Sequence, residues 1–310
     1  MAAVETIQRE KARRTVSWGE FVVEAGIKVL GLSGIGFVTL IFLFLLVEGL
    51  PTFSQVSLGN LASTAWYPTF DRFGIVPLVL GSILVTVGAI ALALPLGVAV
   101  AIYLGEIAPR SVREVLKPMI EVIAGIPSVV LGFIGILAFS PWVRTAFNAP
   151  TGLTALTGSF LLAYMALPTI ITVAEDAIDV VPMTYREASR AIGATDWQTI
   201  WQVVLPAARS GILTAIMLGV GRAIGETMAV MMVTGNAARI PLSLNAFFRP
   251  VRTMTATIAA EMGEVASGSI HYHVLFAIGL ILFLLTFIVN LVAALAVLRQ
   301  ERRTKGRLLS

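Results

Sequence analysis

The 310-residue chain contains no cysteine. That excludes a disulfide framework, a thiol nucleophile and a thiolate metal site. Charge is scarce as well. Asp, Glu, Lys and Arg make up 13% of the residues, 57% are hydrophobic, and mean hydropathy is +0.90. A soluble domain carries about 25% charged residues, so this composition is not that of an ordinary soluble protein. Histidine is limited to His271 and His273. Nothing nearby completes a ligand shell for them, so no metal is expected and they read as loop residues before the last apolar run. No G-x-x-x-x-G-K-[ST] run occurs, so the chain does not itself bind ATP by a P-loop. Gly219, Gly221 and Gly225 form a G-x-G-x-x-x-G run, one residue too long for a dinucleotide fingerprint. They are expected to let membrane helices approach closely. Glu261 and Glu264 have neither nucleophile nor metal partner, and they read as solvated or docking residues.

What the chain has in quantity is long apolar runs. A bilayer needs about twenty apolar residues per helix, and the sequence offers six such spans, near 29–50, 75–104, 118–139, 153–174, 211–235 and 274–298. Pro95 is placed to kink the second, and Pro127 and Pro168 to interrupt the third and fourth, which neighbouring helices can tolerate. Residues 1–30 lack the short apolar core and small-residue cleavage site of a secretory signal. Val16–Val29 reads as an amphipathic segment lying on the membrane. The fold class expected is all-α integral membrane protein, six transmembrane helices preceded by an N-terminal amphipathic helix.

Basic residues orient these spans. With both termini in the cytoplasm, the inner segments hold Arg9, Lys11, Arg13, Arg14, Arg110, Arg113, Lys117, Arg186, Arg190, Arg209 and five more from Arg299 to Arg307. The outer loops hold Arg72, Arg144, Arg239, Arg249 and Arg252. Fifteen against five satisfies the positive-inside rule. The same distribution removes a nucleic-acid reading of the +4 net charge, because the basic residues flank spans instead of forming one patch.

Arg222 and Glu226 lie in the apolar run from Gly211 to Val233. Four residues apart on a continuous helix, they would share one face. Ionisable groups at that depth are costly and normally face a protein-lined or watery interior. They are the candidate polar site on a translocation path; the alternative is an interhelical clamp.

The longest inner loop, Glu175 to Ser210, fits two short helices, Tyr185–Ile192 and Asp196–Val204, with Gly193 at the turn and Asp196 as a cap. Its mixed apolar and polar surface suits docking into a groove of a soluble partner; the alternative is an interfacial loop that meets only lipid headgroups. Glu187-Ala188-Ser189, then Gly193, Val203 and Leu205-Pro206, resembles the signature of ABC importer permeases, with Ser189 and Val203 as small departures from it. Three further stretches are similar to the phosphate permease branch of that family: Gly125 to Gly132, Arg222 to Val230, and Met254 to Ala266.

The resemblance implies the type I ABC importer permease fold and a subunit forming half of the path for inorganic phosphate across the inner membrane. It makes Glu187, Ala188, Gly193, Leu205 and Pro206 the ATPase-coupling residues. It implies as partners a PstA-like second permease, two PstB-like ATPase subunits and a PstS-like periplasmic phosphate-binding protein. No cofactor is expected on this chain, with ATP and Mg²⁺ residing in the ATPase. The chain then divides into a cytoplasmic and interfacial segment 1–28, a first helix and outer loop 29–70, a permease domain 71–298 with its coupling helix near 184–206, and a basic tail 299–310. Arginine presents a planar fork of donors suited to phosphate oxygens. Glu226 would either restrain Arg222 while the path is empty or accept a hydrogen bond from the proton that phosphate carries near neutral pH.

Overall fold

The computed structural model describes residues 18–241 and 244–308. Helix α1, Trp18–Gln55, is followed by the single turn α2, Leu58–Leu61, and a small hairpin of β1, Trp66–Tyr67, with β2, Arg72–Phe73. Helix α3, Val76–Ile102, continues as a π-helical turn over Tyr103–Ile107. After α4, Arg110–Ala124, come α5, Ser128–Ile134, a π turn at Gly135–Phe139 and α6, Ser140–Ala146. Helix α7 spans Ala155–Asp179; α8, Met183–Ala191, and α9, Asp196–Thr199, form the loop. A π turn at Ile200–Val204 leads into α10, Leu205–Gly225, then α11, Met228–Val233, α12, Met254–Glu261, and α13, Ile270–Leu308.

Six segments are long and apolar enough to cross a membrane: Val22–Gln55, Val76–Ile107, Ser128–Ala146, Ala155–Asp179, Asp196–Gly225 and Ile270–Arg299. Their number and order match the sequence reading, but several boundaries differ. No separate interfacial helix precedes the first span over Trp18–Val29, because these residues are the uninterrupted start of α1; Val16 and Ser17 lie outside the described residues. The third span begins at Ser128, not at 118. Residues from Arg110 to Ala124 form a distinct helix with polar residues recurring along it, and none of them is fully buried. Pro127 therefore precedes a helix instead of kinking one, whereas Pro95 and Pro168 do lie within helices. The continuous helical stretch that carries the fifth span begins at Asp196, within the inner loop, and stops at Gly225, ten residues short of the expected end. Finally, α13 runs without a break past 298 to Leu308.

Helix α7 is the hub. In its most apolar stretch 61% of the residues are buried, against 28% or less in the other five spans. Ala89 and Ala93 of α3, Ala163 and Ala166 of α7 and Ala223 of α10 belong to one buried cluster, and such small side chains let backbones approach. Ile170 of α7 fills the remaining space. A Cβ on Gly219 would lie 2.6 Å from its Cγ1, and one on Gly97 2.8 Å from its Cγ2. The expectation for Gly219 is thus met, but Gly221 and Gly225 would meet nothing within 4 Å in this chain. Helix α1 is peripheral and leans on α13 through Phe42–Phe283 and Phe44–Phe276 ring contacts at 5.3 and 5.4 Å.

Gly219→Val should overpack this junction, at a cost of about 1–3 kcal/mol. Ile170→Ala in the same chain should recover part of the loss by vacating the space. Midpoints of thermal aggregation for the two single variants and the double one, measured in detergent, check this.

Candidate functional site

Helix α10 ends at Gly225 because Glu226 turns extended, with φ −70° and ψ 130°. Arg222 therefore sits in the last helical turn, where a cation is favoured by the exposed carbonyls, and Glu226 is outside the helix. The two do not stack on one helix face as the spacing suggested. Among the described residues no ion pair joins them. Arg222 Nη1 donates instead to Thr169 Oγ1 of α7 at 3.2 Å. Glu226 Oε1 accepts from the Ala229 backbone N–H at 3.2 Å, at the start of α11. Backbone freed at the break is also recovered: Thr227 Oγ1 donates to the Gly225 carbonyl and Thr255 Oγ1 to that of Glu226. Such breaks survive at membrane depth only where the freed groups find partners. Arg222 and Glu226 are both half-buried, and a void of about 10 Å³, lined by Glu226, Ser82, Thr86, Thr253 and Thr255 together with Val85, Leu162, Ala223, Ile224 and Val230, lies beside the break.

The second cluster joins the loop to the spans. Arg186 of α8, largely buried, pairs with Glu106 at 2.5 Å and donates to the carbonyls of Ile178 and Val181. Glu175 is almost fully buried at the end of α7, where Arg113 and Lys117 of α4 reach it at 2.8 and 3.0 Å. Arg113 also pairs with Asp179, and Lys117 with Asp176 at 3.2 Å. Partial burial disfavours the Lys117 ammonium, but Glu175 and Asp176 outweigh that penalty and raise its pKa above the ordinary lysine value.

Loop geometry follows the expected helix–turn–helix with one change of cap. Gly193 has φ +88°, the left-handed region that favours glycine, and closes the turn. Thr195, not Asp196, caps α9, in a reciprocal capping box with Gln198. The reason is that Asp196 is already inside the first turn, where it pairs with Arg190 at 2.9 Å. Glu187, Ala188 and Gly193 are exposed, Leu205 packs on the α7–α10 core, and Pro206 opens α10. Met183, Tyr185 and Ile192 present apolar surface, Ile192 being 86% exposed.

At the opposite end Glu261 is not simply solvated. It takes Arg252 at 2.6 Å, His271 Nε2 at 2.8 Å and Trp66 Nε1 at 3.0 Å. His273 Nδ1 lies 2.9 Å from the Glu48 carbonyl. Among the described residues, no group of three or more His, Cys, Asp or Glu is arranged to hold a metal.

The fold is that of an ABC importer permease. It is similar to a chain of the MetNI methionine ABC transporter (TM-score 0.55, 20% identity, covering 76% of this chain and 99% of that one). It is similar also to a chain of a bacterial alginate ABC transporter (TM-score 0.59, 14% identity, 90% and 96% covered). Residues 93–306 match the family described as binding-protein-dependent transport system inner membrane component, and the chain belongs to that family. Among its relatives are the probable ABC transporter permease protein YqgH of Bacillus subtilis, 41% identical over 80% of this chain and 81% of that protein, and the phosphate transport system permease protein PstC of Mesorhizobium japonicum, 37% identical over 79% of each. The PstC of Pasteurella multocida is 34% identical over 86% of this chain and 90% of that protein. The chain is thus a multi-pass membrane protein and a transporter component.

Removing one partner of a buried ion pair strands the other charge, at about 3–5 kcal/mol. Glu106→Gln should therefore loosen α8 from α7, and the combined Glu106→Gln, Arg186→Met chain should be milder than Glu106→Gln alone. Hydrogen exchange across residues 183–192 reports both.

Proposed function

We propose that this chain is the PstC-type permease subunit of an ATP-driven phosphate importer and forms half of the phosphate path. The observation that carries the reading is Arg222. It is a cation in the last turn of an apolar span, beside a helix break, partnered by a neutral hydroxyl and by no carboxylate among the described residues. A clamp would need a counter-charge, and Glu226, the carboxylate beside it in sequence, is spent on the N-terminus of α11. A guanidinium left without a counter-ion suits a transient anion. Similarity to PstC proteins points to phosphate as that anion.

The assembly that follows pairs this chain with a PstA-like permease, two PstB-like ATPases and a PstS-like periplasmic phosphate-binding protein. ATP and Mg²⁺ belong to the ATPases, and this chain carries out no covalent chemistry. The exposed Met183, Tyr185 and Ile192 around the Gly193 turn supply the ATPase-docking face, and Glu187, Ala188, Leu205 and Pro206 shape it. Both termini and the 175–210 loop are cytoplasmic, and residues 236–272 lie outside, the orientation that the basic-residue bias favours.

Arg222→Gln should abolish phosphate uptake by the reconstituted complex without preventing assembly. Glu226→Gln should impair uptake through the weakened helix start. Because the two side chains are not paired, the double variant should be no more active than Arg222→Gln alone. Restored uptake in the double variant would return the pair to a structural clamp.

Orientation is checked with single cysteines, introduced into a chain that has none. An impermeant thiol reagent applied to cells with a permeabilised outer membrane should label a cysteine at Asn245 and spare one at Thr195. The reverse pattern overturns both the topology and the docking face.

A further inference from the structure

Thr169 is a membrane-helix threonine whose hydroxyl meets a charged side chain. A helical threonine usually returns its hydroxyl proton to the carbonyl one turn back. Thr39, Thr214 and Thr286 do so, at 2.9–3.0 Å, while the hydroxyls of Thr52, Thr86 and Thr172 make no such bond among the described residues. The hydroxyl of Thr169 instead accepts from Arg222 Nη1. Guanidinium has no acceptor lone pair, so this contact uses an oxygen lone pair and leaves the hydroxyl proton free. Among the described residues no acceptor takes that proton. Thr169 follows Pro168, whose ring fixes the backbone there and offers no N–H to the Tyr164 carbonyl. The Ile170 wedge against Gly219 holds α7 and α10 in register at this level, so the Thr169–Arg222 distance is set by backbone packing. Neither residue is fully buried, and on α10 the neighbouring Gly221 and Gly225 look onto open space.

We infer that Thr169 belongs to the anion site: its lone pair orients the Arg222 guanidinium and its hydroxyl proton is donated to an oxygen of the transported tetrahedral oxyanion. This rests on the reading of Arg222 as part of the path. Two kinds of donor converging from two helices recognise the tetrahedron better than a cation alone, because the hydroxyl supplies a direction that the charge does not. The hydroxyl also stays neutral, so it assists binding without deepening the electrostatic trap from which the anion must leave.

The test is the number of phosphates moved per ATP hydrolysed by the complete complex in proteoliposomes, with inorganic phosphate and its binding protein supplied. A residue that merely supports folding lowers uptake and ATPase together and leaves this ratio unchanged. Thr169→Val keeps the shape and removes the hydroxyl, and Thr169→Ser keeps the hydroxyl. A hydrogen bond to a charged partner is worth roughly tenfold or more, so Thr169→Val should lower the ratio about tenfold, with Thr169→Ser near the parent. Should the valine variant fail to assemble, Thr169→Ala, which adds no bulk, is read in the same way. A parental ratio in a hydroxyl-free variant overturns the inference. Arg222→Gln separates the two levels: if it collapses the ratio while Thr169→Val does not, only the Thr169 assignment falls. If Arg222→Gln leaves the ratio intact, the path reading falls with it.

Discussion

One contact sets the positions on which the rest depends: the wedge of Ile170 into the gaps left by Gly97 and Gly219. Three helices meet there because two of them lack a side chain at the crossing. In a hydrocarbon solvent apolar burial does not drive helices together, so close packing and interhelical hydrogen bonds must do it. The wedge also fixes register. Thr169 immediately precedes Ile170, and Arg222 lies three residues beyond Gly219. Bringing Ile170 onto Gly219 therefore brings the hydroxyl to the guanidinium.

The break at Glu226 is the second consequence of an apolar surrounding. An interrupted helix exposes carbonyls at one end and N–H groups at the other, and each unsatisfied group is expensive away from water. Thr227, Thr255 and the carboxylate of Glu226 settle several of these at once. Glu226 thereby acquires a structural duty at the break. Its charge is directed to a helix start, where negative charge is favoured, and Arg222 is left to other partners.

At the loop end, charge does what apolar packing does in the middle. Arg186 ties α8 to Glu106 and to the carbonyls at the end of α7, while Glu175 ties α7 to α4. Buried pairs of this kind gain little net stability over apolar contacts but fix geometry, because either charge alone would be costly. Helix α7 carries both the loop anchor at Ile178 and the Thr169 hydroxyl, nine residues or about 13 Å apart along the axis. The helix that borders Arg222 is thus the one on which α8 is anchored.

The membrane class, the number and order of the spans, the Gly193 turn and Arg222 as a costly charge in an apolar run were all legible in the amino-acid order. Those are local properties: hydropathy over twenty residues, a glycine where φ must be positive, an ionisable group at depth. Hydropathy does not distinguish a continuous apolar helix from one broken at Glu226, nor does it divide residues 110–124 from the span that follows. Both boundaries depend on where freed backbone groups find partners in other elements. The same holds for the partners themselves. Glu106 and Arg186 are eighty residues apart, and Thr169 and Arg222 fifty-three, distances at which no sequence period carries information. Spacing suggested that Arg222 and Glu226 share a helix face, but the fold separated them, because Thr255 of α12 and the start of α11 together hold the chain extended at Glu226. That the arginine answers to a threonine on α7 and the glutamate to a backbone amide follows from how the helices pack.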